Sequence, residues 1–220
     1  MTSCHYPNQM RYQITPSDYS ALRARLTSSV QEESGENVHR MLFASYRSRM
    51  IASHTEEAPA GDREDPAFSL CYFDNDPTYL LLERRRDRET DRAMVTEAEC
   101  RALLAGDTDW LLESRNPLLQ DFHDSITRRM LLPRVLLSYH RETYALEGRG
   151  LWVALDTGIR ASLQHMDFLD PELLARDTAG QEERMLMEIS YSSAIPEELL
   201  CLLEETAPRR RLLSGMYLPA

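Results

Sequence analysis

The sequence predicts an α+β fold in which an antiparallel β-sheet packs against helices. The first indication is the stretch from Leu132 to Leu163, where two alternating segments flank the turn sequence Glu147 to Gly150. The second is a set of helix-start signals, at Thr15, Thr96 and Asn116, that separate other strand-like segments. The third is that most strand-like segments combine an apolar face with a face that carries polar side chains.

The N-terminal part predicts a strand, a helix and a second strand. Gln9 to Ile14 alternates polar and apolar residues, as a half-buried strand does. Thr15 suits a helix N-cap and Pro16 the first helical position. The apolar stripe of this helix consists of Tyr19, Leu22, Leu26 and Val30. The polar stretch Glu32 to Asn37 predicts a turn, and His39 to Ser45 predicts a short apolar strand.

The next part predicts a loop and then a group of strands. Residues 46–66 show little periodicity, which indicates a short helix followed by a mobile loop. Ala67 to Asp74 and Thr78 to Arg86 predict two paired strands, joined by a turn at Asn75 to Pro77. Arg92 to Val95 predicts a further short strand.

Three helices are predicted before the central hairpin. Thr96 and Glu99 have the spacing of a capping box, so a helix begins after Thr96. Asp109 to Glu113 predicts a short helix, and Pro117 to Met130 predicts a longer one whose N-cap is Asn116.

The C-terminal part predicts one more strand and one more helix. Asp167 to Gln181 indicates a loop or a short helix. Met185 to Tyr191 alternates and predicts a strand, and a helix is predicted from Pro196 to Thr206. Arg209 to Tyr217 then closes the chain.

Composition argues against several classes of protein. The formal net charge of −11 opposes binding to nucleic acid or to an anionic membrane. No apolar run approaches the roughly 18 residues of a membrane helix, and the N-terminus lacks the apolar core of a signal peptide. The four cysteines are far apart, which indicates reduced thiols and a cytoplasmic protein. All 25 basic residues are arginine.

The polar strand faces allow two interpretations. Their residues are Arg11, Glu83, Arg85, Tyr139, Arg141 and Glu188. One interpretation is a curved sheet with one solvated face. The other is a closed barrel whose polar interior holds a polyanion, with a carboxylate pair available for a divalent metal.

Three stretches of the sequence resemble one known family. LPRVLLSYHRETY, LWVALDTGIRASL and DFLD lie between Leu132 and Asp170, EAECRALLAGDTDWLLE spans Glu97 to Glu113, and YFDNDPTYLLLERR spans Tyr72 to Arg85. They are similar to the polyphosphate polymerase domain named after the vacuolar transporter chaperone (VTC) complex, which belongs to the CYTH-like triphosphate tunnel metalloenzymes. The resemblance implies an antiparallel β-barrel with helices packed on the outside, as a single domain over residues 1–220.

The resemblance also implies a set of site residues. Those expected to bind phosphate are Arg11, Arg85, Tyr139, Arg141 and Ser214. Those expected to bind a divalent metal, Mn²⁺ or Mg²⁺, are Glu188 and Glu83. Charged residues of the family are replaced at Gln9, Ser69, Cys71, Trp152, Ser190 and Gly215.

These replacements decide the functional expectation. The family transfers the γ-phosphate of ATP to a growing polyphosphate chain. Each charge-assisted hydrogen bond is worth roughly 1.5–3 kcal/mol, so losing three or four should reduce affinity or rate by on the order of 10²–10⁴. We therefore expect a polyphosphate polymerase-like protein whose activity is weakened or lost, in other words a pseudoenzyme.

Two alternatives remain open. One is a noncatalytic module that binds polyphosphate or another phosphorylated anion, or that only supports a partner, which by the resemblance includes membrane proteins. The other is a barrel whose tunnel has become a pocket of apolar residues and arginine for a different acid, with Trp152, Phe73 and Leu186 in its lining.

Other polar residues are expected to have no part in the chemistry. Asp156 and Arg160 should stabilise the turn after their strand. His140 points away from Arg141 by strand parity, so it should lie outside the barrel. Arg84 to Arg86 predicts a solvated strand end.

Overall fold

The computed structural model describes residues 8–29, 31–44, 67–86, 89–146, 150–162, 168–170, 185–192 and 211–212. The strands are β1 (Asn8–Ile14), β2 (Gln31–Ala44), β3 (Ala67–Phe73), β4 (Asp76–Arg86), β5 (Glu89–Thr96), β6 (Leu132–Leu146), β7 (Leu151–Ser162), β8 (Met185–Tyr191) and β9 (Arg211–Leu212). The helices are α1 (Pro16–Ser29), α2 (Glu97–Leu104), α3 (Trp110–Glu113) and α4 (Pro117–Arg129). The predicted loop at 46–66 and the predicted helix from Pro196 lie outside the described residues.

The chain forms two compact units. The first comprises Met1–Asn37, Ser138–Arg160 and Gly180–Ala220, and the second comprises Val38–Leu137 and Ala161–Ala179. Hydrogen-bonded strands follow the order β6-β7-β8-β1-β9 in the first unit and β5-β4-β3-β2-β6 in the second. The pairs β1–β8, β7–β8, β2–β3, β3–β4 and β4–β5 are antiparallel, as the alternating sequence pattern predicts.

The core of the second unit lies between β2–β5 and the helices α2–α4. Alternate residues of β3 and β4 face these helices, namely Phe68, Leu70, Tyr72, Leu80 and Leu82. They pack with Leu118 and Phe122 of α4, and the Phe68 and Phe122 rings lie 5.1 Å apart. Arg84 of β4 also pairs with Asp121 of α4 and with Asp91 of β5, so it is more enclosed than a solvated strand end.

The core of the first unit lies between α1 and strands β7 and β8. Its strand residues are Leu151, Val153, Leu155, Met185, Met187 and Ile189, and they pack against Leu22 and Leu26 of α1. Burying each such side chain stabilises the fold by roughly 1.5–3 kcal/mol. Because successive strand residues point to opposite faces, the alternate residues of β7 and β8 face away from α1.

The start of β2 differs from the sequence-based prediction. Glu32 to Asn37 was predicted as a turn, but β2 begins at Gln31. In the sheet, β2 has β3 and β6 as hydrogen-bonded neighbours, and strand preference depends mainly on such context, so the polar composition does not prevent a strand here. Gly35 has a steric role, because a Cβ atom there would lie 3.1 Å from Nε2 of His140. The His140 ring is 3.3 Å from Asn37 Oδ1, on the opposite side of β6 from Arg141.

The predicted helix starts at Thr96 and Asn116 are confirmed. The Thr96 side chain accepts from the Glu99 amide while the Glu99 carboxylate accepts from the Thr96 amide, which is the predicted capping box. Asn116 Oδ1 accepts from the Leu118 amide at 3.0 Å, with Pro117 at the first helical position. No helix within the described ranges is long and apolar enough to cross a bilayer.

Removing either cap should have a moderate cost. We expect Asn116→Ala to lower the free energy of unfolding by about 1 kcal/mol, because the Leu118 amide loses its side-chain acceptor. Urea unfolding measures the change. Asn116→Asp keeps the acceptor and serves as the control. If Asn116→Asp lowers the free energy of unfolding as much as Asn116→Ala does, the capping explanation is contradicted.

The environment of His39 predicts that the free energy of unfolding depends on pH. It is buried, its ring stacks on Tyr72 with centroids 4.7 Å apart, and Nε2 lies 2.6 Å from Asn75 Oδ1. Burial lowers the pKa of His39 below 6.5, and the contact with Asn75 offsets only part of this effect. The unfolded chain therefore takes up a proton at about pH 6.5 while the folded chain stays neutral.

Stability should consequently fall with acidification. As pH drops from about 6.5 towards the lower folded pKa of His39, the free energy of unfolding should decrease. Urea unfolding between pH 8 and pH 5 tests this against His39→Gln, which cannot titrate. Parallel pH profiles for the wild type and this variant would rule out His39 as the cause.

Candidate functional site

The strand faces that point away from the helices carry the polar residues. In the first unit, Arg11 of β1 lies opposite Glu188 of β8, and Ala154 of β7 lies opposite Glu188 on the other side. Asp156, two residues after Ala154, lies on the same face of β7. Its carboxylate accepts a hydrogen bond from Arg141 of β6. Strand parity and antiparallel register thus bring together side chains that are far apart in sequence.

These side chains form a continuous ion-pair network. Arg11 Nε donates to Glu188 Oε2 at 3.0 Å, and Arg141 Nη2 lies 3.8 Å from the same oxygen. Arg141 also holds Asp156 through two parallel hydrogen bonds, from Nε to Oδ1 at 2.7 Å and from Nη2 to Oδ2 at 2.8 Å. The guanidinium carbon of Arg141 is 5.4 Å from the centre of the Tyr139 ring.

This network is buried. Asp156 is 1% exposed, Tyr139 3% and Glu188 7%. A sheet face open to bulk solvent, which was one interpretation of the sequence, is therefore wrong for these residues. Burial of the Arg141 guanidinium opposes its charge, but Asp156, then Tyr139 and Glu188, raise the pKa of Arg141 well above its ordinary value. Arg141 stays charged at every relevant pH.

The network also has balanced charge. Among Arg11, Arg141, Asp156 and Glu188 there are two guanidinium groups and two carboxylates. A phosphate anion that approaches either arginine must compete with a carboxylate already within hydrogen-bond distance. This arrangement favours weak anion binding over the strong charge neutralisation that phosphoryl transfer needs.

Asp156 has a different role from the predicted one. The sequence predicts that Asp156 stabilises the turn after its strand, but β7 continues to Ser162 and the Asp156 carboxylate is held by Arg141. The strand continues through Gly158, whose φ of +60° suits glycine. Asp156 is the bidentate partner of Arg141 and a site residue that sequence analysis missed.

The second unit carries its own polar cluster. Glu83 of β4 accepts from Arg40 of β2 at 2.8 Å and from Arg92 of β5 at 2.7 Å. Arg40 Nη1 also lies 3.4 Å from Ser69 Oγ on β3. Glu83 pairs in register with both Ser69 and Arg92, so these side chains share one face. Arg85, two residues after Glu83, lies on that face as well.

Arg40 and Arg92 were not predicted as site residues. The signal for Arg40 was present, since it alternates with the core residues Met41 and His39 along β2. Its partner could not be recognised, because Arg40 is separated from Glu83 by the whole predicted loop. Arg40 stands beside Ser69, where the family resemblance expects an arginine on β3.

The remaining predicted positions are less informative. Ser214 lies outside the described residues. Trp152 of β7 is half-buried and pairs in register with Ser190 of β8, on the face that carries Glu188. Trp152 therefore lies on the same strand face as Glu188, in keeping with strand parity.

The candidate carboxylates do not fit a resident divalent metal as arranged. Both oxygens of Glu83 accept from guanidinium groups, and Glu188 Oε2 faces Arg11 and Arg141. A divalent ion at either carboxylate would have to displace guanidinium groups that already contact its oxygens. In the part of the chain that the structure describes, no three or more His, Cys, Asp or Glu residues are grouped as metal ligands would be.

The fold is that of the triphosphate tunnel proteins. A candidate adenylyl cyclase from Hippeastrum, reported to have a dominant triphosphatase activity, aligns over 94% of this chain and 91% of its own with 14% identity and a TM-score of 0.52. A candidate adenylate cyclase from Bacillus halodurans aligns over 94% and 92%, with 10% identity and a TM-score of 0.55. The predicted fold class, an α+β fold of the triphosphate tunnel type with an antiparallel sheet and helices packed against it, is confirmed.

The family follows from the sequence itself. The VTC domain matches residues 82–211, which is more than half of the chain. The chain belongs to the VTC domain family, as its resemblance in the second half predicts. A comparison with curated proteins finds no significant match.

Proposed function

We propose that this VTC-domain protein is polyphosphate polymerase-like, that it binds ATP, polyphosphate or a similar phosphorylated anion, and that its transfer of γ-phosphate is weakened or lost. The Arg11–Glu188–Arg141–Asp156 network carries this proposal. It keeps two guanidinium groups on a buried polar face, which supports anion binding. It also pairs them with two carboxylates, which supports weak activity.

The weakening has a physical basis. Phosphoryl transfer depends on positioning and on neutralising charge that develops on the phosphate oxygens. A phosphate that takes a hydrogen bond from Arg141 must displace Asp156 from a bidentate pair, so much of the gain is offset. Mn²⁺ or Mg²⁺ would accompany ATP in any reaction, but neither Glu83 nor Glu188 is assigned to it.

An activity assay tests the catalytic half of the proposal. The purified chain is incubated with ATP and Mn²⁺, and both polyphosphate and released phosphate are measured. We expect no polyphosphate above the level of Glu188→Gln, a variant that keeps the side-chain shape. Rapid synthesis by the wild type that is lost in Glu188→Gln would contradict the weakened activity.

Calorimetry tests the binding half. We expect tripolyphosphate to bind, and Arg11→Gln to weaken binding by roughly 10-fold, about the effect of one charge-assisted hydrogen bond. Arg128→Gln is the matched control, because Arg128 is exposed on α4. No heat with any phosphate anion, and no change in melting temperature, would reject binding.

The charge balance of the network favours a second candidate function. Because its two arginines are already paired with carboxylates, the chain would serve equally well as a scaffold that binds no anion. The calorimetric result above separates the two functions, since only the binding module releases heat with tripolyphosphate.

A further inference from the structure

We propose that copies of this chain associate head to tail through two surface patches of the second unit. The first, called the basic patch, consists of Arg128, Met130, Leu132 and Arg134. The second, called the acidic patch, consists of Asp76, Tyr79, Met94, Glu97 and Glu99. The basic patch of one copy contacts the acidic patch of the next. This contact is independent of anion binding, because none of these residues belongs to the proposed phosphate site.

Met130 occupies a backbone position that suits glycine. It is the C-cap of α4, and its φ of 49° and ψ of 50° lie in the left-handed region. A residue with a Cβ atom is strained there, and many helices place glycine at such an end. The side chain gains little packing in return, because Met130 is 59% exposed. A strained position that keeps an exposed apolar side chain indicates a contact with another molecule.

Leu132 and two arginines extend the basic patch. Leu132 is 45% exposed, while the preceding Leu131 is buried in the core. The Arg128 side chain is 77% exposed and lies 3.5 Å from Asp124. Arg134 is half-buried on β6, and no carboxylate of the described residues pairs with it. The apolar centre is therefore flanked by two positive charges and one negative charge.

Tyr79 and Met94 form the apolar centre of the acidic patch. They are 62% and 63% exposed. In the register of β4 and β5, Tyr79 lies opposite Thr96 and Met94 lies opposite Leu81, so Tyr79 and Met94 are diagonal neighbours on one face. Arg92, two residues from Met94, donates to a carboxylate of β4. The two apolar side chains are thus presented to solvent side by side.

Carboxylates lie around the Tyr79 end of this patch. Asp76 is exposed at the start of β4, close to Tyr79 along the strand. Glu97 and Glu99 lie in the first turn of α2, which begins where β5 ends. Glu97 pairs with Arg101 of the same helix. Three carboxylates therefore face one arginine here, and the charge is opposite to that of the basic patch.

The two patches are complementary to each other and not to themselves. Two basic patches, or two acidic patches, would bring like charges together, whereas unlike patches bring opposite charges together. The patches lie on β5 and at the start of β6, four strands apart, or roughly 19 Å at about 4.8 Å between strands. One copy does not cover its own patches, since both stay exposed. Contact between unlike patches is heterologous and builds an open chain or a ring of copies.

The contact should be weak. Two apolar side chains on each copy bury much less than the roughly 800 Å² per partner of a standard interface. The net charge of −11 also makes two copies repel each other at long range. At about 0.15 M salt the screening length is about 8 Å, so this repulsion is reduced more than the contacts within the patches. We therefore expect association that depends on protein concentration.

Sedimentation velocity at about 0.15 M salt tests the proposal over a series of protein concentrations. The mass of the wild type should rise from 25.4 kDa to beyond twice this value, because a head-to-tail contact does not close at two copies. Met130→Glu and Met94→Arg should each remain monomeric. Leu112→Glu is the matched control at an exposed apolar residue outside both patches, and it should associate as the wild type does.

Mixing the two variants identifies the contact. An equimolar mixture of Met130→Glu and Met94→Arg should form a 1:1 dimer, because one intact acidic patch meets one intact basic patch. A mixture that stays monomeric, or association that only one of the two variants abolishes, overturns the proposal. A wild type that is monomeric at every concentration also overturns it. If that monomer sediments with phosphatidylserine vesicles and Met130→Glu does not, the basic patch binds a membrane instead.

Met130→Gly separates a role in contact from a role in folding. Glycine adopts the left-handed backbone without strain, so this variant should unfold at a urea concentration no lower than the wild type does. It lacks the side chain, so the rise of mass with concentration should be lost. Association that survives in Met130→Gly overturns the proposal, and so does a variant that is less stable than the wild type, because Met130 would then serve the fold.

Discussion

Replacing Arg141 by methionine should lower the free energy of unfolding by about 3–5 kcal/mol. Arg141 is the bidentate partner of Asp156, which is almost fully buried, and it also lies 3.8 Å from Glu188. Without the guanidinium, the Asp156 carboxylate loses its cation in a place where water cannot replace it. Breaking a buried ion pair from one side is among the most destabilising single changes.

Urea unfolding measures this effect, and two variants define its origin. Arg128→Met removes an exposed arginine that pairs with Asp124 one helical turn away, and should cost less than about 0.5 kcal/mol. The double variant Arg141→Met with Asp156→Leu should recover much of the loss, because no buried charge is left alone. A loss below about 1 kcal/mol for Arg141→Met would contradict the assigned pair.

Replacing Glu142 by alanine should cost about 2–4 kcal/mol. The Glu142 carboxylate accepts from Tyr144 Oη at 2.8 Å, from Tyr19 Oη at 2.9 Å and from Arg23 Nε at 3.0 Å. Tyr19 and Arg23 belong to α1, so Glu142 joins this helix to β6. The variant also leaves the hydroxyl of Tyr144, a fully buried residue, without its acceptor.

Urea unfolding at pH 7 measures the loss, with Tyr19→Phe as a control that removes one of the three donors and should cost about 1 kcal/mol. Burial of Glu142 opposes ionisation, but its hydrogen bonds to Tyr144, Tyr19 and Arg23 lower its pKa below 4.5. Its contribution is therefore present above about pH 4.5 and declines as the pH falls further. If Glu142→Ala and Tyr19→Phe lower the free energy of unfolding equally, the Glu142 carboxylate does not serve all three donors.

Strand faces and helix starts were predictable because their signals are local. Alternation in β6 placed Tyr139 and Arg141 on one face and His140 on the other, as the structure has them. Thr96 and Asn116 were predicted as caps from residues within three positions of each. The local prediction of a turn at Glu32 to Asn37 was wrong, because this segment is part of β2 and its conformation depends on the neighbouring strands of the sheet.

The partners of the charged residues were not predictable from local sequence signals. Arg11 and Glu188 are 177 residues apart, and only the register of β1 against β8 places them opposite each other. Asp156 was expected to stabilise a turn, because its partner Arg141 is 15 residues away on the neighbouring strand and no local signal links the two. Arg40 looked like one polar residue in an apolar strand, and nothing near it in sequence indicated Glu83.

The sequence by itself determined the class of fold, the faces of its strands and the family, because periodicity, caps and motifs are properties of neighbouring residues. Only the tertiary structure decided which arginine meets which carboxylate, since that depends on how strands align across the sheet. The physical consequence is large: pairing places the carboxylates of Glu188 and Asp156 against Arg11 and Arg141, and places the Glu83 carboxylate between Arg40 and Arg92.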